Sequence, residues 1–146
     1  VKPAIDEGAK TRGKSVDDLE VQSMVLIASG DTQAEIDKAV EDVRFQISFY
    51  GSTPNYRPVL EHMGYGDLGK ELSQMMRSGQ MKEMPKKIPD AIVEQVAVIG
   101  KLSEVGKVVR ERYEGVLDRV AYYYPIPADQ PVEKWKAFTD EVKRAA

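Results

Sequence analysis

The residues best equipped for chemistry in this chain lie between Tyr50 and Glu71. The stretch GYGDLGKE, residues 64–71, satisfies G-x-G-x-x-G spacing through Gly64, Gly66 and Gly69, and it nearly satisfies a P-loop through Gly64, Gly69 and Lys70. Both patterns hold phosphate by aiming backbone N–H groups at it from a loop between a strand and a helix. Here the preceding YRPVLEHM reads as helical, Glu71 stands where a P-loop needs a Mg²⁺-binding hydroxyl, and Asp67 places a negative charge inside the cradle. The residues therefore read as a glycine-rich turn between two helices. His62 is the only histidine, which rules out a multi-histidine metal site, and no G-x-S-x-G accompanies it to build a hydrolase triad. It reads either as a surface or capping residue at a helix end, or as a proton donor or hydrogen-bond partner for a ligand. Tyr50, Tyr56, Arg57 and Tyr65 cluster around it in sequence. Those types suit an anionic or aromatic ligand, or else the packing of this stretch against its own fold. Tyr122, Tyr123 and Tyr124 form a second aromatic group; on a strand, alternation sends Tyr122 and Tyr124 to one face and Tyr123 to the other. Buried tyrosines need hydroxyl partners, so one near the strand end could reach a ligand or serve as packing. Carboxylates fall at helix ion-pair spacing instead, as in Glu35 with Lys38 and Glu133 with Lys136, and read as solvated faces.

Composition narrows the choice of partner. Twenty-one Lys and Arg against 24 Asp and Glu give a net charge of −3, with no basic excess to neutralise a nucleic-acid backbone. No apolar run approaches the roughly 18 residues of a membrane span, and no signal peptide opens the chain. The absence of cysteine excludes disulfides, thiolate metal sites and cysteine nucleophiles, and fits a cytoplasmic protein. At 146 residues and 42% apolar content, the chain is long enough to build a core.

The positioning elements follow from periodicity. Residues 1–14 read as a helix closed by Gly13 between Arg12 and Lys14. In LEVQSMVLIASG the unbroken apolar run Met24 to Ala28 predicts a parallel strand buried on both faces. Thr32 and Glu35 match a capping box, and Ile36, Ala39, Val40, Val43, Ile47 and Tyr50 follow at helical spacing. Short helices are expected at about 54–63 and 67–77, then a polar linker over 80–87. Pro89 is placed to open a helix through Ile92, Val93, Val96 and Ile99, although IVEQVAVIG also suits a strand. A helix through Leu102, Val105, Val108 and Val109 ends at Gly115, and DRVAYYYP is the second strand, stopped by Pro125. Asp129 and Pro131 open a last helix with Val132, Trp135, Phe138 and Val142 on one face. Five of the six methionines lie between Met63 and Met84, where flexible thioethers fill either a core or an apolar cleft.

The expected fold is therefore α/β and helix-rich, with two parallel strands. Two such strands make too small a sheet to stand alone. The chain also begins on Val1 rather than Met. Both features lead to the expectation of a single partial domain over 1–146, the C-terminal part of a (β/α)8 TIM barrel. Its stretches would be a helix tail, strand and helix (1–50), a helical Gly/Pro-rich insert (51–88) and the closing helices, last strand and C-terminal helix (89–146).

Three segments carry a family resemblance. RFQISFYGSTPNYRPVLEHMGYGDLGKEL, residues 44–72, resembles a characteristic segment of luciferase-like monooxygenases, specifically the branch that uses the deazaflavin coenzyme F420. VAVIGKLSEVGKVVRERYEGVLDRVAYY resembles that family's closing pattern, and VKPAIDEGAKTRGKS the helix before its seventh strand. Gly100 to Val105 depart from the family's usual Gly-Thr-Pro-Glu-Glu-Val, and Met63-Gly64-Tyr65 replaces its His-Gly-Trp, with His62 one place early. The resemblance implies an oxidoreductase that transfers hydride between F420, or alternatively FMN, and an organic substrate. It further implies that most cofactor contacts lie on strands preceding this chain. In that picture Ser29 and Gly30 sit at the mouth of the site, Tyr50, Tyr56, Arg57 and His62 line its substrate side, and Tyr124 ends the last strand at the same face. The implied partners are a small-molecule substrate and either a second copy or the remainder of the barrel. The alternative is a non-catalytic, self-associating module.

Overall fold

A computed structural model describes residues 2–126 and 130–143. They form a mixed α/β, helix-rich structure with parallel strands, dividing into two compact units: residues 1–25 with 106–146, and residues 26–105.

In the first unit, α1 (Lys2–Thr11) ends where Gly13 takes a φ of 66°, which lets the Gly13 and Lys14 amides reach back to the carbonyls of Lys10 and Ala9. β1 (Gln22–Val25) pairs in parallel with β4 (Arg119–Tyr122), Gln22 opposite Arg119. Asp118 fastens the start of this ladder. Its carboxylate accepts from the Val21 amide at 2.7 Å, and its own amide donates to the Val21 carbonyl at 2.8 Å. The later part of α6 (Leu102–Tyr113) and α7 (Val132–Lys143) belong here as well. Tyr122, Trp135 and Phe138 meet edge to face.

The second unit is built on β2 (Ile27–Gly30) and β3 (Val98–Lys101), parallel with Ile27 opposite Val98. Over them runs α2 (Gln33–Ser52), followed by a 3₁₀ turn at Pro54–Tyr56, α3 (Arg57–His62), α4 (Gly66–Arg77), a 3₁₀ segment at Met81–Lys87 and α5 (Asp90–Val96). Ile27, Ala28, Val43, Leu72, Met84 and Ile92 are all buried and make up its core.

The capping box at the start of α2 is present. The Glu35 amide donates to Thr32 Oγ1, and the Glu35 carboxylate accepts from the amides of Asp31 and Thr32 at 2.8 and 2.9 Å. The expected partnership of Glu35 with Lys38 gives way to this cap, because the first-turn N–H groups have no helical acceptor of their own. The backbone bonds from Thr32 and then Asp31 hold the Glu35 carboxyl below its ordinary value of 4.5. A depressed folded-state value stabilises the fold above the unfolded value and is lost as pH falls through the folded one. We expect the stability gap between the wild type and Glu35→Gln to be constant above about pH 5 and to shrink progressively as pH falls below 4.5. Urea unfolding at a series of pH values checks this, and a gap independent of pH would refute it.

Several expectations need correction. The apolar run Met24 to Ala28 is not one strand. The ladder changes partner at Leu26, with β1 on β4 and β2 on β3, and Gln22, Ser23 and Met24 are exposed while Ile27 and Ala28 are buried. IVEQVAVIG is both helix and strand: α5 ends at Val96, and after Ala97 the chain extends into β3, a strand beyond the two expected. Residues 80–87 are not merely a polar linker, since the 3₁₀ segment there buries Met84 completely. β4 ends at Tyr122, and the Tyr123 and Tyr124 rings meet edge to face at 5.1 Å rather than pointing to opposite faces. Val132 does not share the packed face of α7, being 74% exposed, and Lys136 pairs with Asp140 at 2.9 Å rather than with Glu133. The helix start expected at Asp129 lies outside the described residues.

Candidate functional site

The second unit carries a half-open apolar cavity of about 150 Å³. α2 contributes Ile47, Tyr50 and Gly51, one helical turn of wall. The chain then doubles back through Pro54, whose fixed φ starts the 3₁₀ turn, and Tyr56, Val59 and Leu60 come round to face that turn. Met63 follows α3, and Leu26, Ile92 and Val96 close the far side.

The approach of α2, α3 and α4 depends on glycine. A Cβ on Gly51 would lie 2.9 Å from Leu72 Cδ1 and 3.1 Å from Leu60 Cδ1, and one on Gly69 would lie 3.5 Å from the Gly51 carbonyl. Gly69 is thus a buried contact inside α4, and Lys70 is paired with Asp67 at 2.9 Å. GYGDLGKE is a turn and a helix start, with Gly64 at a φ of 85°, and not a phosphate loop.

α5 is held to α2 by Arg44. Its guanidinium donates to the Ile88 carbonyl, to Asp90 at 2.6 Å and to Glu41 at 3.0 Å. Burial alone would lower its pKa, but the bonds to Asp90 and Glu41 outweigh that and raise it. Arg44 therefore stays charged and fixes the helix that carries Ile92 and Val96.

Of the residues expected at a site, Tyr50 and Tyr56 both line the cavity, their rings 4.9 Å apart and tilted by 45°. Arg57 and His62 are not among its lining residues. Arg57 Nη2 donates to Ser73 Oγ at 3.2 Å, and Ser73 Oγ donates in turn to the Ser52 carbonyl, tying α3 to α4 and the end of α2. His62 is the exposed last residue of α3. Ser29 and Gly30 end β2 just ahead of α2, and Gly30 lies against the first turn of that helix. Tyr124 belongs to the first unit. Met63 belongs to the methionine group expected in a core or an apolar cleft, whereas Leu26, Ile47, Gly51, Val59, Leu60, Ile92 and Val96 are lining residues without a site signal of their own. The signal of Ile47, Ile92 and Val96 is helical periodicity and that of Leu26 an apolar run, which mark burial without showing that it borders a void. Among the described residues there is no group of three His, Cys, Asp or Glu placed to hold a metal, and no helix long and apolar enough to cross a membrane.

Comparison with known proteins gives a consistent picture. The family described as luciferase-like monooxygenase matches residues 2–119. An uncharacterized protein of Mycobacterium bovis and those of two strains of Mycobacterium tuberculosis are each 40% identical over 118 residues, covering 81% of this chain. The chain spans 35% of the length of those relatives. No solved structure matches it significantly.

Proposed function

The chain belongs to the luciferase-like monooxygenase family, and on that premise we propose that it is the closing portion of a (β/α)8-barrel oxidoreductase working with F420 or, alternatively, FMN. The family match over residues 2–119 carries the reading. The strand-helix succession of β2 into α2 and of β3 into α6 supports it. Each ladder has two strands among the described residues, leaving edges that the rest of a barrel, or a second copy, would pair.

The cavity of the second unit does not fit the cofactor itself. A cavity of about 150 Å³ is well short of the roughly 300–1,000 Å³ of sites that enclose a ligand of that size. The one glycine-rich segment resembling a phosphate cradle is packed within and before α4. In this reading the cofactor, which supplies the hydride chemistry of such enzymes, is held by other parts of the protein. The 146 residues contribute an apolar wall on the substrate side, with Tyr50 and Tyr56 in it and Ser29 and Gly30 at the strand end.

Titration with FMN and with F420, followed by cofactor fluorescence, tests the division of labour. The 146-residue chain is expected to show no saturable binding up to about 1 mM, a free energy of only some 4 kcal/mol. The product of the complete reading frame is expected to bind one of the two and to oxidise its reduced form when an organic acceptor is supplied. Saturable cofactor binding by the 146 residues alone overturns the division. Failure of the complete product to bind either cofactor overturns the oxidoreductase reading and leaves a self-associating module.

A further inference from the structure

We propose that the cavity of the second unit takes an uncharged hydrocarbon group of about one ring's size, and that it rejects anionic groups of the same shape. This names the chemical class of the substrate's buried part, and so it rests on the reading that this wall faces the substrate. Size sets the first half of the inference. About 150 Å³ is room for a benzene-sized group and for little more, so the cavity receives one end of a molecule rather than the whole of it.

Lining chemistry sets the second half. Ile47, Leu60, Ile92 and Val96 are aliphatic, and Met63 adds a flexible thioether that adapts to the shape of its neighbour. The only lining residues with a hydroxyl are Tyr50 and Tyr56, and no Asp, Glu, Lys, Arg or His is among them. The tilted pair of Tyr rings offers aromatic surface to a third ring. A carboxylate or phosphate entering here would give up its hydration and meet no cation. Arg57 is engaged with Ser73 and lies outside the lining, and Arg44 is spent on Ile88, Asp90 and Glu41. Of the lining residues, Tyr56 and Val59 are 46% and 54% exposed and form the solvent side, whereas Leu60 and Ile92 are buried.

The probes are benzene, toluene, ethylbenzene and benzoate, added to the 146-residue chain and followed through its methyl resonances. With benzene, the methyls of Ile47, Leu60, Met63 and Ile92 are expected to shift saturably while those of Leu102 and Val109 stay in place. The single added carbon of toluene should tighten binding at most about fourfold, and ethylbenzene should gain nothing further, because the cavity is then full. Benzoate should bind at least about a hundredfold more weakly than benzene, since nothing repays its lost hydration. Val59→Trp, at an exposed position, should plug the entrance and abolish the benzene shifts. Absence of saturable shifts with benzene, or equal binding of benzoate, overturns the proposal in the wild-type chain, whatever the behaviour of the variant. Because no cofactor enters this experiment, its failure is distinct from a failure of the complete protein to bind FMN or F420.

Discussion

Ile92→Ala should lower the stability of the chain by about 3 kcal/mol, within the 2–5 kcal/mol found for truncating a buried aliphatic residue. Ile92 is 0% exposed and stands on α5 with the cavity on one side and packed core on the other. Removing three carbons there forfeits their transfer free energy and enlarges a void already present, so the surroundings have no reason to close over it. The comparison that isolates burial is Val59→Ala. Val59 lines the same cavity but is 54% exposed, so its truncation should cost less than about 1 kcal/mol. Urea unfolding measures both, with a shift in midpoint at unchanged slope. A loss under 1 kcal/mol for Ile92→Ala would show that α5 is not packed as described. If the fold survives, the enlarged cavity should also bind ethylbenzene more tightly relative to benzene than the wild type does.

The second large effect is expected at Gly30, where alanine should cost about 3 kcal/mol, the upper part of the range for overpacking a filled site. A Cβ there would lie 2.4 Å from Glu35 Cβ and 3.0 Å from the Ile36 amide nitrogen. Neither neighbour can yield. The first turn of α2 is pinned by the reciprocal bonds between Thr32 and Glu35, and Ile36 is buried behind it. The φ of Gly30 is not positive, so the requirement is for close approach of strand end and helix start, not for a special backbone conformation. A chain of this length should lose about 10 °C in thermal midpoint. The same substitution at Gly8, mid-α1 with nothing within 4 Å of its Cβ, should instead gain up to about 1 kcal/mol through helix propensity. Equal effects at the two glycines would sink the argument.

Gly30 also marks the limit of reading a site from a sequence. The residue was expected at the mouth of a site through resemblance, and the contact with Glu35 gives it a structural task that no local pattern announces. Tyr50 and Tyr56 stand near each other in the sequence and the resemblance puts both on one side of a site, and their rings lie 4.9 Å apart. Arg57 is adjacent to Tyr56 and belongs to the same grouping. Its direction was not legible, since whether it faces a cavity or Ser73 depends on where α4 lies. The 3₁₀ segment at Met81–Lys87 has no signature in the sequence, because Met84 is a lone buried residue among charged ones and one residue has no period. β3 is ambiguous between helix and strand in the sequence because Val96 to Ile99 is an unbroken apolar run directly after a helical pattern, and a short apolar run satisfies both templates.

What the sequence by itself determined is local and chemical: a capped α2, the glycine stop of α1, the helical pair after Pro54, the lack of thiols and of basic excess, and the family. Each is written in residues close together, where capping, φ preference and periodicity act within a turn or two of chain. Only the tertiary structure decided that the ladder changes partner at Leu26, that Gly69 packs against the end of α2, and that Ile47, Leu60 and Ile92 share one void. Those outcomes depend on which residues meet across distances from 13 residues of sequence (Ile47 and Leu60) to 97 (Gln22 and Arg119), and hydrophobic burial, being non-directional, specifies that a face goes inward but not what it will find there.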